Sequence, residues 1–130
     1  MLADNKAFSG FAVDDFAKAR EFYGETLGLR VEVLDEDNHL MALHHPENRD
    51  TLVYGKPDHE PANYTILNFE VDDIDAAVDG LVARGVQFER YDGMPQDDKG
   101  VMRGLAAGQG PDIAWFKDPA GNILAVLQQG

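Results

Sequence analysis

The sequence predicts an α+β fold in which two βαβββ units form a curved, half-open barrel-like sheet with helices outside. Three observations predict this fold: a helix start that occurs twice, an apolar helical spacing after each start, and short strands on both sides of each helix. The two copies keep a constant offset of 58 positions, from Val13 to Val71. Such a repeat indicates one supersecondary unit duplicated within a chain.

The helices are predicted over residues 15–27 and 73–84. In each copy a doubled aspartate follows an apolar strand end, and its second member, Asp15 or Asp73, can accept a hydrogen bond from the free amides of the first turn. Both helices are expected to end at a glycine, Gly28 or Gly85. The apolar positions recur at helical spacing: Phe16, Ala19, Phe22, Tyr23 and Leu27 in the first copy, and Ile74, Ala77, Val78, Leu81 and Val82 in the second.

The strands are predicted around these helices from alternating or apolar runs and from the turns between them. This organises the chain as one domain, with a first repeat over about 7–55, a linker over 56–63 and a second repeat over about 64–128. Residues 91–112 hold five glycines and form a segment much longer than an ordinary connection, so we expect a loop that either covers the pocket as a lid or is disordered. The predicted strands span residues 7–13, 29–33, 39–45 and 51–54 in the first repeat, and 64–71, 86–89, 113–117 and 122–127 in the second.

The composition excludes several classes of function. The chain has 130 residues, of which 24 are Asp or Glu and only 11 are Lys or Arg, and the formal net charge of -13 repels nucleic acid and anionic membranes. No cysteine is available for a disulfide, a thiol nucleophile or a thiolate metal site. No apolar run approaches the roughly 20 residues of a membrane span, and the amino end lacks the pattern of a signal peptide, so we expect a cytoplasmic protein. The negative net charge has two interpretations: it keeps the protein soluble, or it favours a cationic ligand.

Two motifs resemble the vicinal oxygen chelate superfamily, which includes glyoxalase I, extradiol dioxygenases, fosfomycin-modifying enzymes and bleomycin-resistance proteins. The motifs are DFAKAREFYGETLGL at residues 15–29 and DPAGN at residues 118–122. The resemblance covers nearly the whole chain and implies the two-unit fold described above. It also implies a homodimer by analogy, because barrels of this superfamily are commonly completed or extended across a two-fold interface. It does not by itself imply one activity, because this fold carries several.

The resemblance also implies where a metal would be held. Metal-binding members place one ligand on the first strand of each unit, and these positions correspond to Phe8 and Ile66. They place another ligand on the last strand of each unit. In the second unit this position is Ala125, and in the first unit it is Val53 when Asn122 is matched to Asp50. All four side chains are apolar and offer no donor to a divalent ion. We therefore predict no metal and no cofactor, and we expect these residues to form the floor of a pocket, as in the metal-free drug-binding branch.

Polar and aromatic candidates surround this predicted floor. If Ile66 faces the interior, the alternation of a strand places Asn68 and Glu70 on the same side. Trp115 either lies over the pocket or belongs to the core. His44 and His45 are adjacent on a strand, so they point to opposite faces and do not easily share one metal ion. His59, on the linker, can act as a base or a hydrogen-bond donor near neutral pH.

These observations predict a metal-independent protein that binds a small molecule, either cationic or aromatic in character. They leave open whether the protein also catalyses a reaction. One alternative is an enzyme of the same superfamily, a lyase, isomerase or dioxygenase, that uses displaced ligands or acid-base residues, for which His59, Glu70 and His45 are the candidates. The second alternative is a non-catalytic scaffold whose barrel is filled by its own side chains.

Overall fold

Each half of the chain builds its own four-stranded sheet with one main helix. A computed structural model describes residues 1–130 and divides them into two units, residues 1–59 and 60–130. Each unit follows the order strand, helix and further strands, so the predicted α+β class with two βαβββ-like units is confirmed. None of the helices has the length and apolar composition that crossing a membrane requires.

The first unit contains four strands in the order β1-β4-β3-β2, with β1 and β4 parallel and the other pairs antiparallel. Its elements are β1 (Ser9–Val13), α1 (Phe16–Glu21), β2 (Arg30–Asp35), β3 (Leu40–His45) and β4 (Arg49–Gly55). The predicted start of the helix is confirmed, because the Asp15 carboxylate accepts a hydrogen bond from the Lys18 amide at 3.0 Å. The helix continues over Phe22–Thr26 as a π-helical turn, in which the Leu27 amide donates to the Phe22 carbonyl.

The second unit repeats this order as β5-β8-β7-β6, again with a parallel pair between its first and last strands. The carboxylate of Asp73 accepts from the Ala76 amide at 3.1 Å and begins the helix where the sequence predicts it. The elements are β5 (Thr65–Glu70), α2 (Ile74–Ala83), β6 (Met102–Arg103), α3 (Gly104–Ala107), β7 (Asp112–Lys117) and β8 (Ile123–Gln128).

One predicted strand, over residues 86–89, is wrong. Only an isolated bridge between Phe88 and Phe116 forms there, and the fourth strand of the sheet is the later, two-residue β6. The Gln96 side chain explains the difference, because its amide donates to the Glu89 carbonyl at 2.9 Å and its oxygen accepts from the Tyr91 amide at 2.8 Å. These bonds satisfy backbone groups that a continuing strand would otherwise pair with its neighbour.

The glycine-rich segment is more ordered than the loop that we predict from the sequence. It contains β6 and α3, and side-chain ion pairs attach it to α2. The Arg103 guanidinium binds Asp75 of α2 at 2.8 Å and Asp97 at 2.9 Å, while the Lys99 ammonium binds Asp75 at 3.2 Å and Asp79 at 3.1 Å. This cluster holds residues 97–103 against the helix.

Each sheet has one face that packs against its helix. In the first unit this face carries Val13, Met41, Leu43 and Val53, which are all fully buried, and the Phe11 ring contacts Tyr23 at the end of the helical segment. In the second unit the Gln128 side chain accepts a hydrogen bond from the Ile74 amide at the start of α2, and Leu124, Val126 and Phe116 lie buried. The opposite face of each sheet, here called the helix-free face, carries the alternate residues.

Candidate functional site: the helix-free faces of the two sheets

Three residues form a row across the helix-free face of the second unit. Strand pairing aligns Asn68 of β5 with Ala125 of β8, and Ala125 with Trp115 of β7, so the three side chains project from the same face. Trp115 and Ala125 are buried and Asn68 is exposed. This settles the orientation of Trp115, which the sequence leaves open, and it joins three of the predicted ligand-binding residues in one place.

Glu70 stands one row further along the same face. It pairs with Leu127, and its carboxylate accepts a hydrogen bond from the Gln129 side chain at 2.8 Å. Glu70 is exposed. The predicted alternation from Asn68 to Glu70 therefore holds, and it adds a carboxylate at the rim of this face.

Ile66 departs from that alternation because β5 has a bulge. Thr65 pairs with Ile123 and Leu67 with Leu124, so Ile66 is the extra residue between two paired ones. Phe8, its counterpart in the first unit, precedes β1 and is 71% exposed. These two predicted floor residues stand outside the regular pairing of their sheets.

The register that we predict for Val53 differs from the observed one by one residue. Val53 pairs with Phe11 and Met41 on the face packed against α1, and it is fully buried there. Leu52 pairs with Gly10 and Ala42 on the helix-free face instead. Gly10 and Asn68 both lie five positions before the aspartate that begins a helix, so Leu52 is the structural counterpart of Ala125.

Tyr91 covers the aromatic end of the row. Its ring meets Trp115 edge to face, with 5.7 Å between ring centroids. The Tyr91 hydroxyl is shielded from solvent and has no hydrogen-bond partner. Burial raises the pKa of this phenol above its ordinary value, with the nearby Glu89 carboxylate contributing in the same direction. The aromatic end of the row therefore contains an unsatisfied hydrogen-bond donor next to Trp115.

A second polar group lies on the helix-free face of the first unit. Both ring nitrogens of His44 contact carboxylates, Nδ1 with Asp50 on β4 and Nε2 with Glu32 on β2, each at 2.8 Å. The hydrogen bond with Asp50, followed by that with Glu32, raises the pKa of His44 above 6.5. This cluster could not be found from the sequence, because its three members come from three strands and their contact depends on the strand register.

The predicted acid-base candidates lie on different elements: His45 ends β3, Glu70 ends β5, and His59 lies in the connection between β4 and β5. His45 projects from the opposite face to His44, as predicted, and its Nε2 lies 3.0 Å from the Thr51 hydroxyl. Burial lowers the pKa of His45 below 6.5. His59 belongs to the first unit, where its amide donates to the Lys56 carbonyl, and Glu70 belongs to the second.

The residues present do not fit a divalent metal ion of the kind that the superfamily uses. Ile66, Ala125, Phe8 and the counterpart Leu52 all end in carbon, which cannot replace the hydration that a metal loses on binding. In the His44 cluster the two carboxylates bond to opposite ring nitrogens, and no group of three or more His, Asp or Glu side chains in residues 1–130 is arranged to hold a metal ion. No step of a mechanism is therefore assigned to a metal.

Comparison with known proteins agrees with this architecture. Residues 7–126 match the sequence model of the Glyoxalase/Bleomycin resistance protein/Dioxygenase superfamily. The chain is 27% identical over 128 residues to the uncharacterized protein YraH of Bacillus subtilis, an alignment that covers 89% of this chain and 91% of YraH.

Solved structures with the same fold include TnmS3, an antibiotic binding protein from Streptomyces sp. CB03234. It shares 22% identity, with 98% of both chains covered and a TM-score of 0.67. A glyoxalase/dioxygenase from Nostoc punctiforme shares 16% identity, with 99% of this chain and 94% of its own covered and a TM-score of 0.66. At these identities the two structures establish the fold alone.

Proposed function

Because the chain belongs to the glyoxalase/bleomycin resistance protein/dioxygenase superfamily, we propose that it binds a small molecule without a metal ion, on the helix-free face of its second unit. The observation that carries this proposal is the row of Asn68, Ala125 and Trp115 on three adjacent strands. We also propose that the protein is a homodimer and that it is cytoplasmic. The antibiotic-binding activity named for TnmS3 supports a binding role for this fold.

The row combines the three contacts that a small-molecule site needs. Trp115 offers an apolar ring, Ala125 is a small apolar side chain beside it, and Asn68 supplies both a hydrogen-bond donor and an acceptor at the rim. Adjacent strands are about 4.8 Å apart, so Trp115 and Asn68 stand roughly 10 Å from each other. That span suits a planar aromatic molecule with a polar group at one end.

The charge of the site favours a ligand that is neutral or positive. Glu70 lies at the rim of the row, and the chain as a whole carries a formal net charge of -13. An anionic ligand would be repelled both locally and at long range. We therefore propose an aromatic ligand with a hydrogen-bonding or cationic end.

The single tryptophan makes this proposal testable at one position. A library of planar aromatic natural products is screened for quenching of Trp115 fluorescence and for a rise in melting temperature. For any compound that passes both screens, Asn68→Leu is expected to weaken binding by about tenfold, equivalent to about 1.4 kcal/mol. The matched control is Asn63→Leu, which makes the same change at an exposed position outside the row and should leave affinity within about twofold.

Two outcomes would contradict the proposal. In the first, no compound in the library quenches Trp115 and raises the melting temperature. In the second, binding occurs but Asn63→Leu weakens it as much as Asn68→Leu does, which would place the ligand elsewhere.

A second candidate function rests on the His44 cluster. If a substrate displaces one of the two carboxylates, the ring nitrogen that is released can accept a proton from the substrate and return it, as an isomerase or lyase requires. The test is exchange of the carbon-bound protons of dihydroxyacetone into heavy water, followed by NMR. If this candidate is right, the protein accelerates exchange and His44→Gln abolishes the acceleration. If the parent protein and His44→Gln exchange the protons of dihydroxyacetone at the same rate, this candidate reaction is excluded and the proposed binding function is unaffected.

A further inference from the structure

A surface cleft in the first unit lies outside the faces described above. It is formed by the start of α1, the connection between β2 and β3 and the end of β4, and its volume is about 620 Å³. None of the residues that line it belongs to the row around Trp115 or to the His44 cluster. The volume falls within the range of about 300–1,000 Å³ that is usual for small-molecule sites.

One wall of the cleft is aromatic. The ring of His39 stacks on Phe16 with 5.2 Å between centroids and 15° between planes. Phe16 is buried and His39 is exposed, and both residues line the cleft. A flat ligand in the cleft can extend this aromatic pair by lying against the exposed part of the imidazole.

The position of His39 depends on Gly55. A Cβ added at Gly55 would lie 2.8 Å from the His39 Cβ, closer than real side chains approach. His39 itself adopts a left-handed backbone conformation with φ of 55°, which histidine tolerates better than most residues. The glycine therefore leaves the space in which the stacked ring sits.

The remainder of the cleft is mostly acidic. Its two cationic side chains already have partners, since Arg20 lies 3.6 Å from Glu36 and Lys56 lies 2.7 Å from Asp58. The surplus of carboxylates creates a negative potential beside the aromatic wall. The carboxylates that line the cleft are Asp14, Asp15, Glu21, Glu25 and Glu36.

We infer that this cleft is a second binding site, and that it takes a flat aromatic cation. The ring stacks on His39, and its positive charge is stabilised by the surrounding carboxylates. A neutral molecule of the same shape gains only the stacking, and an anion is repelled. This inference concerns a different unit and different residues from the proposed function, so neither depends on the other.

The probe for the test is N-methylacridinium, a fixed planar cation, compared with acridine, which has the same ring system and is uncharged at about pH 8. Fluorescence anisotropy at low ionic strength measures the affinity for both compounds. We expect saturable binding and at least about tenfold tighter binding of the cation than of the uncharged ring, because the carboxylates of the cleft stabilise its charge.

Two variants and two controls locate the binding. His39→Asn removes the ring but keeps a residue that tolerates positive φ, and Glu36→Gln removes one charge; each should weaken N-methylacridinium binding by about fivefold or more. Glu47→Gln makes the same charge change on an exposed residue outside the cleft and should stay within about twofold. The weakening caused by His39→Asn and by Glu36→Gln should persist in a Trp115→Phe background, where the ring of the proposed ligand site is altered, which separates the cleft from that site. Circular dichroism checks that each variant folds.

Three results would overturn the inference. They are absence of saturable binding, equal affinity for the charged and uncharged acridines, and equal weakening by Glu36→Gln and Glu47→Gln. The last result would show attraction to the net charge of the whole chain. Because Glu36 is exposed, its variant remains informative even if His39→Asn does not fold.

Discussion

The turn between β7 and β8 is expected to control the stability of the second unit and the geometry of the Trp115 row. Asp118 is buried in this turn, and its carboxylate accepts three hydrogen bonds of 2.9 Å, from the Ala120 amide, the Asn122 amide and the Asn122 side chain. Asn122 is also buried, at 1% exposure. The turn fixes the pairing of Trp115 with Ala125, because it joins the two strands that carry them.

The cost of Asp118→Ala follows from these three bonds. A hydrogen bond to a charged group contributes about 1.5–3 kcal/mol, so three independent bonds would give at most about 4.5–9 kcal/mol. The three share one carboxylate, and part of the turn can bind water after the change, so we expect a loss of about 3–5 kcal/mol in the free energy of unfolding. This is a large part of the roughly 5–15 kcal/mol that stabilises a domain of this size.

Urea denaturation followed by Trp115 fluorescence and circular dichroism measures this loss. Asp118→Asn keeps one oxygen that can accept from the two backbone amides. Its new NH2 group, however, faces the NH2 group of Asn122, so the hydrogen bond to that side chain is lost. We therefore expect a loss of about 1.5–2.5 kcal/mol in the free energy of unfolding. The matched control Asp92→Ala, at an exposed position, should stay within about 0.5 kcal/mol of the parent. The reasoning is refuted if Asp118→Ala loses less than about 1 kcal/mol or if it matches Asp92→Ala.

Four further predictions concern the charged groups, the metal and the assembly. The carboxylates around His44 raise its pKa in the folded protein above 6.5. The stability that this interaction contributes is therefore present below pH 6.5 and is lost as the pH rises through the folded pKa. The urea midpoint of the parent protein should fall across this pH window, and the midpoint of His44→Gln should fall less. An NMR titration should give His44 a midpoint above 6.5, and a lower value would contradict the cluster. Arg103→Ala should increase amide hydrogen exchange in residues 97–103, since it releases this segment from Asp75, and unchanged exchange would show that the ion pairs do not hold it. Protein purified without chelator should contain less than about 0.1 divalent ion per chain by elemental analysis. A stoichiometric metal that is lost in Glu70→Ala would contradict metal-free binding and would indicate a metal centre that includes Glu70. Light scattering should give about twice the chain mass of 14.3 kDa, and a value near 14.3 kDa would contradict the homodimer.

The helices could be predicted from the sequence because their signals are local. Asp15 and Asp73 cap the turns that immediately follow them, and the apolar spacing identifies the buried side of each helix without any knowledge of distant residues. The same holds for the Asp118 turn, whose bonds all lie within five residues. These elements are sufficient to predict the two-unit fold.

The register of the last strands could not be predicted in the same way. Matching Asn122 with Asp50 assumes that the turns before β4 and β8 have equal lengths, but a short helical turn at Pro46–Asn48 precedes β4. The shift of one residue transfers Val53 to the helix-packed face and Leu52 to the other. The bulge at Ile66 is missed for a related reason, since the apolar run around it looks regular in the sequence.

The missing strand and the missed sites depend on contacts between distant residues. Gln96 ends the expected strand at residues 86–89 by binding backbone groups five and seven positions away, which no propensity reveals. The stack of His39 on Phe16 also requires the space at Gly55, on a different strand. Such features become visible only when the pairing of the strands is known.

The two units use similar helix-packed faces but different helix-free faces. At the matched positions the first unit has Gly10, Leu52 and Ala42, which supply no hydrogen bond from their side chains, whereas the second has Asn68, Ala125 and Trp115. Burial against a helix requires only apolar side chains of suitable size, so the repeat conserves that pattern in both halves while the opposite faces are free to differ. On these matched rows, hydrogen-bonding side chains therefore occur only in the second unit, which is where we propose ligand recognition. The first unit has its polar chemistry at other places, at His44 and in the cleft beside His39, and substitutions at these places should change binding or proton transfer without changing the fold.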